Sequence, residues 1–297
     1  MNDSATEPNP QTSPQSYRPE RLWVVVVLCV AFSVFFYGRN WPKSLMANRH
    51  MILAEQALDR HLTTGSEEDW QTAVTELDKA VARHPTHDIY SKKALLLGEK
   101  CSTDRTNGKL ASAKEFGEAA LDAINTAISE KRVAVYYQTR AEINLRLNRF
   151  KDAAADTTLF IQTMPDSYGD FRDLQLASAL NSRAYSRALG EFELDLALKD
   201  IETALNIMPN EPSLLDTHAY LLYLTGAPEK ALPILDDCIS RLESQFKDQE
   251  SRVYIESRAV MLHHRGLVYK AMGKELAAQA DLEEAEKLGF SPERGVH

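Results

Sequence analysis

A short pattern recurs along this chain and restricts what it can fold into. An alanine is followed four residues later by a bulky residue and three after that by a small one. Five copies read Ala73-Leu77-Ala80, Ala120-Ile124-Ala127, Ala197-Ile201-Ala204, Ala231-Leu235-Cys238 and Ala278-Leu282-Ala285, and a degenerate one, Ala153-Thr157-Phe160, stands third in order. Residues four and three apart share one face of an α-helix. Small residues on that face let a second helix come close, and the bulky one fills the groove between them. Successive first alanines lie 47, 33, 44, 34 and 47 residues apart, a period near 34 with insertions of 10 to 13. Such a period means a stack of helical hairpins, each burying its apolar face on its neighbours. Pro85, Pro165 and Pro209 each follow the last residue of a copy by five, where proline ends a helix.

Each of these helices has a partner before it, as in residues 134–156 and 263–285. In the last copy Gly266, Tyr269 and Ala278 stand at the spacing of the tetratricopeptide signature Gly-x-x-Tyr…Ala. Ala141 and Ala219 occupy the same small-residue place, as does Ala184 if its turn holds one extra residue, and Asp156, Asp200 and Asp281 each follow their repeat's alanine by three. On these residues the chain resembles a tetratricopeptide repeat protein over roughly residues 54–292. The resemblance implies an all-α, right-handed solenoid of about six helix-turn-helix repeats, near residues 54–87, 88–133, 134–167, 178–211, 212–245 and 259–292. Copy one is the weaker match, with His61 at the small-residue place, and so is copy two. Residues 101–110 read as a widened turn, and residues 165–175 and 243–256 as separators between repeats, the last extending a helix.

Ahead of the repeats, residues 22–38 run LWVVVVLCVAFSVFFYG without a charge. As a helix they would reach about 25 Å, the short end of a membrane span. Trp23, Tyr37 and Trp41 sit at the edges, and Arg21 and Arg39 bracket the run, as expected at headgroups. A cleaved signal peptide fits less well, because the polar stretch before the run is long and no small-x-small site closes it. The expected organisation is a disordered tail over residues 1–20, a transmembrane helix over 22–38 and a linker or the start of the first helix over 39–53. Two basic residues precede the span and three follow it closely, which leaves orientation open under the positive-inside rule. The short tail favours an extracytoplasmic solenoid.

The net charge of −9 argues against nucleic acid, whose phosphates need a basic face. Three cysteines without a Cys-x-x-Cys exclude a disulfide framework and disfavour a thiolate zinc site. No Gly-x-Gly, His-Glu-x-x-His or Gly-x-Ser-x-Gly occurs, so no enzyme, metal or cofactor is expected. The resemblance instead implies a concave groove lined by the first helix of each repeat at motif places five, nine and twelve. Carried over, the candidate groove residues are Gln138, Glu142, Asn181, Tyr185, Asp216, Tyr220, Tyr223 and His263. Amides can grip a peptide backbone, and tyrosines supply apolar area at small entropic cost. The function expected is a membrane-tethered scaffold, adaptor or assembly factor that binds a peptide or partner helix. The alternative is an enzyme-associated or transport component with a small-molecule site. If the anchor reading holds, the protein stays in the membrane fraction after carbonate washing and keeps its N-terminal residues. A mature chain beginning after residue 37 would overturn it.

Overall fold

The computed structural model describes residues 41–165, 169, 171–246 and 251–291. Among these are twelve helices and no strand: α1 (Trp41–Thr64), α2 (Glu67–Arg83), α3 (His87–Thr106), α4 (Leu110–Glu130), α5 (Ala134–Arg146), α6 (Phe150–Thr163), α7 (Arg172–Leu189), α8 (Leu194–Ile207), α9 (Pro212–Leu224), α10 (Pro228–Gln245), α11 (Arg252–Ala271) and α12 (Glu275–Lys287). The expected tail and transmembrane helix, residues 1–20 and 22–38, lie outside the described residues. None of the described helices is long and apolar enough to cross a membrane.

Consecutive helices pair into six hairpins, α1·α2 through α11·α12. Each second helix also packs on the next first helix, and the first helices α3 and α5, α7 and α9, and α9 and α11 touch. The recurring pattern sits where the helices meet. Ala73, Leu77, Ala80, Ala120, Ile124, Ala127, Ala197, Ile201, Ala204, Ala231, Leu235 and Cys238 are all buried. In the degenerate copy Thr157 is buried too, its hydroxyl donating to the Ala153 carbonyl at 2.9 Å. A hydroxyl satisfied on its own helix can therefore stand in for a bulky residue without an orphaned polar group. At Gly266 a Cβ atom would lie 2.7 Å from Leu282 Cγ, so here α11 and α12 are closer than an alanine would allow without a shift.

Helix ends follow local chemistry. Ser66 caps α2 by accepting from the Asp69 amide, ahead of Glu67, Glu68 and Asp69 in the first turn, which favours the positive end of the helix dipole. Pro212 and Pro228 open α9 and α10, where a missing N–H costs nothing. Every turn within a hairpin contains a residue with positive φ. Glycine supplies it in the first, second, fifth and sixth, Asn148 in the third, and Glu191 and Glu193 in the fourth.

Four boundaries differ from the sequence reading, one being the fourth repeat, which starts at Arg172 inside the expected separator rather than near 178. Residues 39–53, read as a linker or helix start, are helical from Trp41. Residues 101–110 do not widen a turn: 101–106 complete α3, and only Asn107–Lys109 turn. The reason is burial, since Cys101 and Asp104 are buried there and Arg105 is buried against the turn of the third repeat. The sixth repeat starts at Arg252 rather than near 259.

A polar clasp repeats alongside the apolar seam. Arg183 donates from Nε and Nη2 to the two oxygens of Asp200, at 2.7 Å each. Arg265 does the same with Asp281 at 2.7 and 2.9 Å. Arg140 Nε donates to both oxygens of Asp156 at 2.9 and 3.0 Å, and Asn144 adds a bond at 3.0 Å. In each case the remaining guanidinium nitrogen crosses to the second helix of the repeat before, at Asn125, Thr158 or Asp236. One arginine thus ties its own hairpin shut and fixes it on its neighbour. The recurring aspartates of the sequence are the acceptors. The fifth repeat has His218 and Ile234 at these places and no such clasp. Asp156 is 4% exposed, so Asp156→Ala, which strands Arg140 and Asn144, should destabilise the protein by about 3 kcal/mol in urea unfolding. A loss under about 1 kcal/mol, the scale of a surface pair, would show that the clasp is not structural.

Candidate partner-binding surface

The candidate groove residues separate into two groups. Tyr185 on α7 and Asp216 and Tyr220 on α9 meet a residue absent from the candidate set, His264 of α11, while Tyr223 reaches only Tyr220. Nδ1 of His264 donates to the Asp216 carboxylate at 2.9 and 3.0 Å, and the two residues are only 2% and 5% exposed. The Tyr220 ring stacks on His264 with centroids 4.1 Å apart and planes 10° apart. Tyr223 stacks on Tyr220 at 6.1 Å, and Tyr185 meets His264 edge-on at 6.4 Å. Asp216 is therefore not an open ladder position but half of a buried pair joining the fifth and sixth repeats. The Tyr185 hydroxyl and the Asn181 side-chain oxygen are also buried, with no hydrogen-bond partner among the described residues. Burial, with Glu191, Tyr223 and Asp216 nearby, pushes the Tyr220 hydroxyl up to about 12.

His263 lies apart from this cluster. Successive helix residues point about 100° apart, so with His264 turned toward α9, His263 faces the C-terminal segment and stacks on Phe290 at 4.1 Å. Motif place five gives His263, the member of the histidine pair that does not pack on Tyr220 of α9.

Gln138 and Glu142 form the second group. They lie one turn apart on α5, the amide donating to the carboxylate at 3.4 Å. Both line a hollow of about 60 Å³ with Ser178 and Ser182 of α7. Glu142 also stands on the rim of a cleft of about 520 Å³ lined by α1, α2, α3 and α5. Leu58, Leu77, Leu95 and Leu96 contribute its apolar lining, with Glu55, Lys92, Glu99, Glu142 and Arg146 among the charged groups around them. Lys92 and Glu55 form an ion pair across it. Leu95 is 52% exposed, a large apolar side chain turned toward solvent. Arg252, at the start of α11, lines the cleft too, its guanidinium 3.4 Å from the Thr106 hydroxyl at the end of α3. The sixth repeat thus comes round to meet the second. Sequence reasoning missed this cleft because it lies on the two copies with the weakest signature. Leu95 and Leu96, adjacent leucines that cannot both face one seam, were the available signal.

Reactive chemistry is sparse. Among the described residues no three His, Cys, Asp or Glu side chains come together as metal ligands. Cys101 and Cys238 are buried, and burial pushes both thiols up, away from the reactive thiolate.

No family model and no curated protein matches the chain. Solved structures do. PilW, a widely conserved type IV pilus biogenesis factor, superposes with a TM-score of 0.52 at 17% identity, covering 83% of this chain and 96% of that one. A tetratricopeptide repeat protein from Parabacteroides merdae gives 0.48 at 19% identity over 81% and 94%, and PilF from Pseudomonas aeruginosa 0.46 at 16% over 85% and 96%. At these identities the likeness concerns fold alone: the chain has a tetratricopeptide-like helical repeat fold.

Burial, reinforced by neighbouring His264, pushes His263 down to about 4 from 6.5. The unfolded chain then binds this proton more readily than the folded one, so the contribution is complete above pH 6.5 and is lost as pH falls toward 4. His263→Gln should show a shallower decline in melting temperature across that window than the wild type. Equal slopes would remove His263 as a cause of acid sensitivity.

Proposed function

We propose that this protein is an interaction scaffold, an adaptor or assembly factor, that seats a peptide or partner helix in the cleft between its first three repeats. The cleft carries this reading. Its lining combines exposed leucine surface with charged groups of both signs, which suits an amphipathic segment better than a small polar substrate. Covering Leu95 removes apolar surface from water, the main source of affinity in such docking. Glu142 and Arg146 would set the register of the bound segment. The aromatic cluster at Tyr220 and Tyr223 extends the surface toward the later repeats. On this reading the protein is not an enzyme. The fold-level likeness to a pilus biogenesis factor fits an assembly role and names no partner for this chain.

The same proposal makes residues 22–38 a membrane tether with the solenoid on the extracytoplasmic side. Its support is the uncharged apolar run ending three residues before α1 begins. A tether holds the cleft near membrane-bound partners and raises their effective concentration.

Leu95→Glu tests the reading, because a half-exposed position tolerates a charge without loss of fold. Partners captured by the full-length wild-type protein and identified by mass spectrometry should bind the variant about ten- to a hundredfold more weakly, as when an apolar anchor is lost, at an unchanged melting temperature. Equal capture by both proteins would show that partners bind elsewhere.

A further inference from the structure

A second cavity, of about 400 Å³, opens between the turn of the second hairpin and the turn of the third. Its walls come from the end of α3, the first turns of α4, and residues 146–149, which end α5 and turn into α6. Four cations line it, Arg105, Lys114, Arg146 and Arg149, against a single carboxylate among the described residues, Glu118. That carboxylate is already bound to Arg149 at 2.7 Å. The Lys114 ammonium and the Arg146 guanidinium have no hydrogen bond or ion pair among the described residues. This concentration of positive charge stands on a chain whose net charge is −9.

We propose that this cavity binds a phosphate monoester, held chiefly by Arg146 and Lys114.

The site is built rather than incidental. Arg105 is 7% exposed and reaches under the third hairpin's turn, donating to the Arg146 carbonyl and, at 2.8 Å, to the Asn148 side-chain oxygen. Asn148 holds φ at +58°, a left-handed conformation that asparagine adopts more readily than most residues. The latch fixes the backbone from which Arg146 and Arg149 project into the cavity. No side chain caps the N-terminus of α4 at the cavity wall. Four cations around one carboxylate repel one another, and a bound anion reverses that sign. A phosphate monoester carries close to two negative charges and three terminal oxygens, one charge and one oxygen more than a carboxylate, to set against several cations at once. Leu110, Ala113 and Leu147 form an apolar wall beside the cations, suited to the carbon skeleton of an ester. Such an ester could be a free metabolite or a lipid headgroup, which share this chemistry.

Isothermal titration of the full-length protein in a non-ionic detergent, with glycerol 3-phosphate and with dihexanoyl phosphatidate, tests the site. Dihexanoyl phosphatidylcholine, a phosphodiester, is the control. Saturable binding of glycerol 3-phosphate is expected if the source is soluble, and of phosphatidate alone if it is a lipid. Lys114→Ala, at an exposed position, and Arg146→Gln should each weaken binding about ten- to a hundredfold, the loss of one charge-assisted hydrogen bond. Arg252→Gln, which lies on the other cleft, should not change it. Absence of saturable binding to both probes, equal binding of the phosphatidylcholine, or binding untouched by Lys114→Ala and Arg146→Gln would each overturn the assignment.

Discussion

Close approach of two helices within each hairpin is the constraint on which the rest of this molecule depends. An alanine on each contacting face brings the backbones together, and the Ile or Leu between them fills the remaining groove. At Gly266 no side chain fits without moving Leu282. Once the hairpins close, each presents an apolar edge to the next, and stacking becomes the only way to cover it. The Arg–Asp clasps depend on the same closeness, because a guanidinium spans a hairpin and touches the preceding repeat only when the helices are nearly in contact. Apolar packing sets the separation, and the clasps select one register within it.

The fifth repeat shows how the solenoid manages without a clasp. Histidine replaces the arginine and isoleucine the aspartate, so its hairpin relies on the Ala231, Leu235 and Cys238 seam. The connection to the sixth repeat is made instead by Asp216 and His264, a buried pair roofed by the Tyr220 ring. A pair so completely withdrawn from water gains its stability from geometry and from stacked rings rather than from charge alone. The tyrosines beside it form an aromatic wall, Tyr220 covering the pair and Tyr223 stacking on Tyr220.

The two hollows of the N-terminal half differ in character because different ends of the hairpins form them. The 520 Å³ cleft runs along the first helices, whose side chains repeat at helical spacing, so it offers an apolar strip with charges of both signs. The 400 Å³ cavity lies where two turns meet, and long basic side chains from both turns gather there around one carboxylate among the described residues. Arg146, the last residue of α5, belongs to both. A single side chain thus stands between a surface suited to a protein segment and a cavity suited to an anion.

Local spacing determined the hairpins. The small-bulky-small pattern and the proline stops are properties of single helices, and they identify the buried seam from Ala73 to Ala285 without reference to any partner. The recurring aspartates were legible for the same reason, but their arginines, 16 or 17 residues away, were not, since nothing local links them. Only the tertiary structure decided which side of each first helix stays open. His263 and His264 differ by one position in the chain, yet one packs on α9 and the other on Phe290, because neighbouring helix residues diverge by about 100° and burial depends on which helix lies opposite. The cleft at Leu95 was hidden for a related reason. It is assembled from the repeats with the poorest signature, and its shape exists only when α1, α3 and α5 stand side by side.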